Sequence, residues 1–96
     1  MDVLNHQFQW PYDYNSGFQR DFGCVYILVN TNGQLVDVGQ TESVNDRLPN
    51  HDRKQCWIRN SCPDKQLYVH LNQNEQYRLQ LEGAIRNSYA PSCGIR

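Results

Sequence analysis

The chain has 96 residues, 39% of them apolar, and a formal net charge of −1, which is one small domain with a single modest core. This balance excludes an acidic disordered tail and a histone-like basic protein, and no run approaches the roughly 20 apolar residues of a membrane helix. The charge is uneven: residues 1–46 carry a net −5 and residues 47–96 a net +4, which hints at an anionic partner for one face.

Residues 1–22 are rich in aromatics (Phe8, Trp10, Tyr12, Tyr14, Phe18, Phe22) and show no sustained period. They read as an N-terminal arm whose rings pack on the domain that follows, residues 23–96. The arm is also a candidate homodimer contact, since exposed aromatics mark interfaces. The first residues lack both a basic start and an apolar run, so a signal peptide is not expected, and a cytoplasmic location is. For the four cysteines, Cys24, Cys56, Cys62 and Cys93, this implies reduced, buried thiols. Their spacing does not suit zinc.

Cys24–Val29 is β-branched and aromatic, and reads as a strand. Asn32-Gly33 supplies a tight hairpin turn, and Gln34–Val38 returns as a second strand that Gly39 ends. Thr41 or Ser43 can cap a helix from Val44, which Pro49 stops near Leu48. Asn50 can cap a second short helix through Trp57 and Ile58. Asn60–Asp64 is loop by composition, and Leu67–Leu71 is a third strand. Asn72 with Glu75 resembles a capping box. Tyr77, Leu81, Ala84, Ile85 and Tyr89 then recur at helical spacing until Pro91. The order β-β-α-(α)-β-α predicts an α+β fold, a three-stranded antiparallel sheet flanked by helices.

Four features stand in one order: Val25-Tyr26, then Asp37-Val38-Gly39, then Arg47 and His51, then Glu82 nine residues before Pro91. This constellation resembles the GIY-YIG nuclease superfamily over about residues 23–94. Cys24 stands where the first motif has glycine, Asp37 replaces the tyrosine of the second, and Gly94 falls where many members have asparagine. The resemblance implies an endonuclease that hydrolyses nucleic-acid phosphodiesters, DNA rather than RNA, with Mg²⁺ or Mn²⁺. It implies Tyr26, Arg47, His51 and Glu82 as catalytic residues, with Glu82 as metal ligand.

The chemistry suits these types. A carboxylate holds hydrated Mg²⁺, an arginine forks onto phosphate oxygens, and a tyrosine or histidine can accept the proton of an attacking water. Asp37 can stand in for the missing tyrosine as a base or second metal ligand; a polar residue on the solvent face is its plainer reading. Gly39, Arg53, Lys54 and Arg59 are candidate substrate contacts. Trp57 reads as core rather than as a base-stacking platform. Glu82 between Arg78 and Arg86 also reads as an exposed salt-bridge stripe. A catalytically inactive nucleic-acid-binding or protein-interaction module on the same scaffold is the alternative function.

Overall fold

The computed structural model describes residues 2–15, 18–49, 51–63 and 66–93, with backbone alone at Trp10 and Pro11. The arm begins with β1 (Asp2–Val3) and β2 (His6–Gln7), a small antiparallel hairpin. Its turn residues, Leu4 and Asn5, both take positive φ, 48° and 64°. β3 (Gln9–Tyr12) then joins the main sheet. The sequence showed no strand here because alternation is absent and Pro11 breaks the pattern. β3 lies at the edge of the sheet, the place where a strand proline is tolerated.

β4 (Cys24–Val29) and β5 (Leu35–Thr41) form the expected hairpin, with Tyr26 opposite Gly39 and Leu28 opposite Asp37. The turn differs in type. Only Gly33 has positive φ, 81°, and Gly33 N–H closes onto the Asn30 carbonyl at 3.0 Å. Asn30 Oδ1 holds the turn by accepting from Asn32 N (3.0 Å) and Gln34 N (2.9 Å). Such an Asx arrangement needs one left-handed residue rather than two.

α1 (Val44–Arg47) ends where Pro49 requires. Its cap is not the one expected: Ser43 makes no side-chain cap bond. The Ser43 hydroxyl instead donates to Asp21, whose other oxygen accepts Asn45 N at 3.0 Å. A carboxylate from the arm thus serves the helix start, and the Ser43 and Asn45 donors lower the Asp21 pKa. α2 (Lys54–Arg59) carries buried Trp57; Arg53 is at its N-cap position with no side-chain cap bond, and the expected capping residue Asn50 lies outside the described residues.

β6 (Leu67–Leu71) pairs with both β3 and β4. α3 (Glu75–Tyr89) is capped by Asn74, not Asn72: Asn74 Oδ1 accepts Tyr77 N at 3.0 Å, while Asn72 Oδ1 braces Asn74 N at 2.8 Å. The buried stripe of α3 is Arg78, Leu81 and Ile85, so Tyr77 and Tyr89 fall to the exposed side.

The antiparallel sheet runs β3-β6-β4-β5. The three expected strands are its body, and the arm adds a fourth. Every residue of β4 is buried because both faces are covered. On one face Cys24, Tyr26, Leu28, Leu67 and Val69 pack with Val44, Leu48, Trp57 and Tyr14. On the other Val25, Ile27, Val29 and Val38 pack with Leu81 and Ile85 of α3 and with Val3 and Phe8. Phe8 and Tyr14 of the arm are thus core residues, not an exposed patch. No helix among the described residues is long and apolar enough to cross a membrane.

One cysteine expectation is corrected. Cys56 and Cys93 form a disulfide that ties α2 to the segment after α3. Their separation of 37 residues gives no local signal of pairing. Cys24 and Cys62 are free, and burial pushes both thiols up to about 12, which makes them inert.

Candidate active site

The site is built at the β5 edge of the sheet. Tyr26 points from β4 across its cross-strand partner Gly39. A Cβ added at Gly39 would meet Tyr26 Oη at 2.3 Å and Cζ at 2.4 Å. Only glycine leaves the phenol room to lie there. Gly39 therefore works beneath the tyrosine.

Tyr26 Oη is 2.8 Å from His51 Nε2. The His51 side chain is fully enclosed. Its Nδ1 accepts the Arg53 backbone N–H at 3.1 Å. An amide can only donate, so Nδ1 is the unprotonated nitrogen. The neutral ring then carries its proton on Nε2 and donates it to Tyr26 Oη. Asp52 Oδ1 also lies 3.3 Å from Nδ1 and pulls a proton toward it. That carboxylate is 76% exposed, so water screens its pull, whereas the amide is fixed. Trp57 packs on the imidazole with ring centroids 4.5 Å apart.

Burial raises the Tyr26 pKa to about 12, against the pull of the neighbouring Arg47 charge. Burial, aided by the positive charges of Arg47 and Arg53, lowers His51 to about 4. Both groups are neutral at pH 7. The His51 Nε2–H donates to the phenol oxygen, and the positive charge of Arg47 lies near it. Both favour the phenolate over the phenol.

Asp37 is fully buried, so the solvent-face reading of that residue is corrected. Its Oδ2 accepts Arg53 Nε at 2.7 Å and Trp57 Nε1 at 2.8 Å. Its Oδ1 accepts Val38 N at 2.8 Å, with Arg86 and a second Arg53 nitrogen each at 3.4 Å. A carboxylate has about four lone-pair sites, and these donors fill them. Trp57 is a core residue with a polar task.

Glu82 lies on α3, one turn from Arg86, at 3.9 Å from its guanidinium. Its side chain is 13% exposed. The exposed-stripe reading of this face is corrected: Arg78 is 2% exposed and donates to Gln40 Oε1 (3.0 Å) and the Asn72 carbonyl (2.9 Å). Arg86 reaches past Glu82 to Asp37 and to the Val38 carbonyl. A chain of contacts therefore runs from Glu82 through Arg86 and Asp37 to Arg53 and His51.

Residues 47–65 carry five bases, Arg47, Arg53, Lys54, Arg59 and Lys65, and those described are only partly presented outward. Arg53 is held by Asp37. Lys54 donates to Asn15 and the Pro49 carbonyl and lies 5.6 Å over the Tyr14 ring, so it fastens the arm. Arg47 is 39% exposed beside Asp52, and Arg59 is exposed. Lys65 and Gly94 lie outside the described residues. Arg86 was read from sequence only as part of a salt-bridge stripe; the one signal for it was its four-residue spacing from Glu82.

Among the described residues, no three His, Cys, Asp or Glu side chains converge as a metal cage. The residues present still fit Mg²⁺, which keeps several waters and takes only one or two carboxylates. Of the two carboxylates named from sequence for a metal, Asp37 is filled by its donors and Glu82 lies against Arg86.

This architecture is the fold of the GIY-YIG endonuclease domains. Two solved structures of the N-terminal GIY-YIG endonuclease domain of UvrC from Thermotoga maritima, both point variants bound to a catalytic divalent cation, match it. Each has a TM-score of 0.63 and 23% identity, and the match covers 78% of this chain and 84% of theirs. No family model matches the chain. Two curated proteins of Oryza sativa subsp. japonica are similar in sequence. DNA polymerase I B, mitochondrial, is 29% identical over 86 residues, 83% of this chain, and DNA polymerase I A, chloroplastic, is 30% identical over 81 residues, 79% of this chain. The chain spans about 8% of the length of each.

Proposed function

We propose that this domain is a metal-dependent endonuclease that hydrolyses nucleic-acid phosphodiesters, with Tyr26, Arg47, His51 and Glu82 as its site. The observation that carries the reading is the Tyr26 hydroxyl, held over Gly39, bonded to His51 and set beside the Arg47 charge. A core phenol needs only a hydrogen-bond partner; this one also lies in the field of an arginine, which favours its phenolate.

Each residue has a role. Tyr26 acts as its phenolate: the phenol first gives up its own proton to solvent, the His51 Nε2–H and the Arg47 charge stabilise the anion, and the anion then takes the proton of the attacking water. His51 does not take that proton itself, since its free nitrogen faces the Arg53 amide. Arg47, half-exposed, presents a fork to the phosphate oxygens. Glu82 holds the divalent cation. When bound, that cation supplies a polarised phosphate oxygen and a more acidic water. Asp37 is a structural anchor rather than a base, because its oxygens are filled. DNA is the favoured substrate, in keeping with the DNA polymerases to which the sequence is similar. With Arg53 and Lys54 committed internally, fewer cations are left for phosphates, so binding is weak and falls as salt rises.

The test is incubation of the pure protein with DNA and RNA of several structures in Mg²⁺ or Mn²⁺. Metal-dependent cleavage lost in Glu82→Ala supports the assignment. Cleavage that survives in Glu82→Ala removes the metal site. Salt-sensitive binding with no cleavage of any substrate leaves the inactive nucleic-acid-binding module, for which the replacement of the second motif's tyrosine by buried Asp37 is the supporting observation.

A further inference from the structure

Asp37 occupies the motif position of a tyrosine yet touches no open space. Its two Oδ2 partners are the two residues that hold His51. Arg53 Nε is 2.7 Å from Oδ2, and the backbone N–H of the same Arg53 donates to His51 Nδ1. Trp57 Nε1 is 2.8 Å from Oδ2, and the Trp57 ring packs on the imidazole. The carboxylate thus grips, from β5, the peptide and the ring that define the histidine, without touching it.

The tautomer of His51 is a contest. The Arg53 amide requires a bare Nδ1; Asp52, 3.3 Å from the same atom, favours a proton there. While Asp37 pins the Arg53 side chain, the amide stays in place and the proton stays on Nε2, facing Tyr26. With the pin removed, Arg53 is free to swing, the amide moves off, and Asp52 draws the proton to Nδ1. Nε2 then becomes an acceptor and the Tyr26 hydroxyl donates to it. Tyr26 then loses the donor that stabilises its phenolate.

We propose that Asp37 is a positioning residue that sets the His51 tautomer through Arg53 and Trp57, and so keeps Tyr26 competent. The proposal rests on the nuclease reading for its consequence, but not for its geometry. Outer partners of this kind are worth about 10- to 100-fold in activity when removed.

The test uses ¹⁵N-imidazole NMR on the full chain at pH 7, reading which His51 nitrogen carries the proton, beside cleavage kinetics. Wild type is expected as the Nε2–H form. Asp37→Asn and, as a milder change, Arg53→Gln are expected to shift His51 toward Nδ1–H. They are also expected to lower kcat about 10- to 100-fold with KM changed less than threefold. Asp37→Glu, which restores the charge, is expected to recover part of both. A wild-type ring protonated on Nδ1, or a tautomer unchanged in a folded Asp37→Asn or Arg53→Gln protein, overturns the proposal. If Asp37→Asn does not fold, Arg53→Gln decides alone. If wild type cleaves nothing while the tautomer responds as described, the nuclease reading fails and the positioning role stands.

Discussion

Gly39→Ala tests the geometry of the site without touching any charged group. The added Cβ would sit 2.3 Å from Tyr26 Oη and 2.4 Å from Cζ, where ordinary contact begins near 3.4 Å. The ring must therefore move by about 1 Å, yet Tyr26 is 1% exposed and packed in the core. Overpacking of this kind costs about 1–3 kcal/mol. The move also breaks the 2.8 Å contact with His51, a further loss of about 1 kcal/mol. The sum, about 2–4 kcal/mol, lowers the thermal midpoint by about 10 °C or more in a domain of this size. The sign is diagnostic, because Gly→Ala in an ordinary strand stabilises by roughly 0.5–1 kcal/mol. Urea denaturation of Gly39→Ala, Tyr26→Leu and the double variant isolates the contact. Leucine does not reach the clashing atoms, so Gly39→Ala is expected to be neutral or mildly stabilising in that background. If the two single effects add within about 0.5 kcal/mol, the ring does not lie over Gly39 as described.

Three further outcomes follow from the structure. Ala90, the residue just past α3, has φ 47°, so Ala90→Gly is expected to raise stability by about 1 kcal/mol in urea melts. Unfolded His51 takes a proton near the usual 6.5 and folded His51 only near 4, so the unfolded chain holds the extra proton between these values. Stability from this group is full above pH 6.5 and falls as pH drops toward 4, with a slope of at most about 1.4 kcal/mol per pH unit. His51→Gln should flatten urea midpoints measured between pH 5 and 6.5. Mass spectrometry after thiol alkylation of the unreduced, denatured chain should show two labels, on Cys24 and Cys62, and four after reduction; loss of the Cys56–Cys93 link should cost about 4 kcal/mol for its 37-residue separation.

The parts of the fold that were legible in the sequence are those with local periodicity. β-branched runs gave β4, β5 and β6, and helical spacing gave α3. The constellation of Tyr26, Asp37-Val38-Gly39, Arg47, His51 and Glu82 was read from a fixed order along the chain; in the fold Tyr26 meets Gly39 and His51, and Glu82 is linked to them through Arg86, Asp37 and Arg53. Other features are decided by partners distant in sequence. β3 pairs with β6 across more than fifty residues, and a proline inside it argues against a strand when read locally. Asp37 reads as a solvent-facing polar residue until Arg53, Arg86 and Trp57 are seen to converge on it. Arg78 and Arg86 follow the spacing of exposed ion pairs, whereas Arg78 is buried against the sheet and Arg86 reaches Asp37. Burial of a charge is not written in its neighbours along the chain; it depends on the counter-charges that tertiary packing delivers.

The nuclease account turns on one oxygen atom. Single-turnover cleavage of DNA in Mg²⁺, wild type against Tyr26→Phe, tests it most directly. Phenylalanine keeps the packing over Gly39 and removes only the oxygen that bonds His51 and lies near the Arg47 charge. The account predicts a rate lower by about 10²- to 10⁴-fold, with folding retained. Cleavage by Tyr26→Phe within a few-fold of wild type would contradict it.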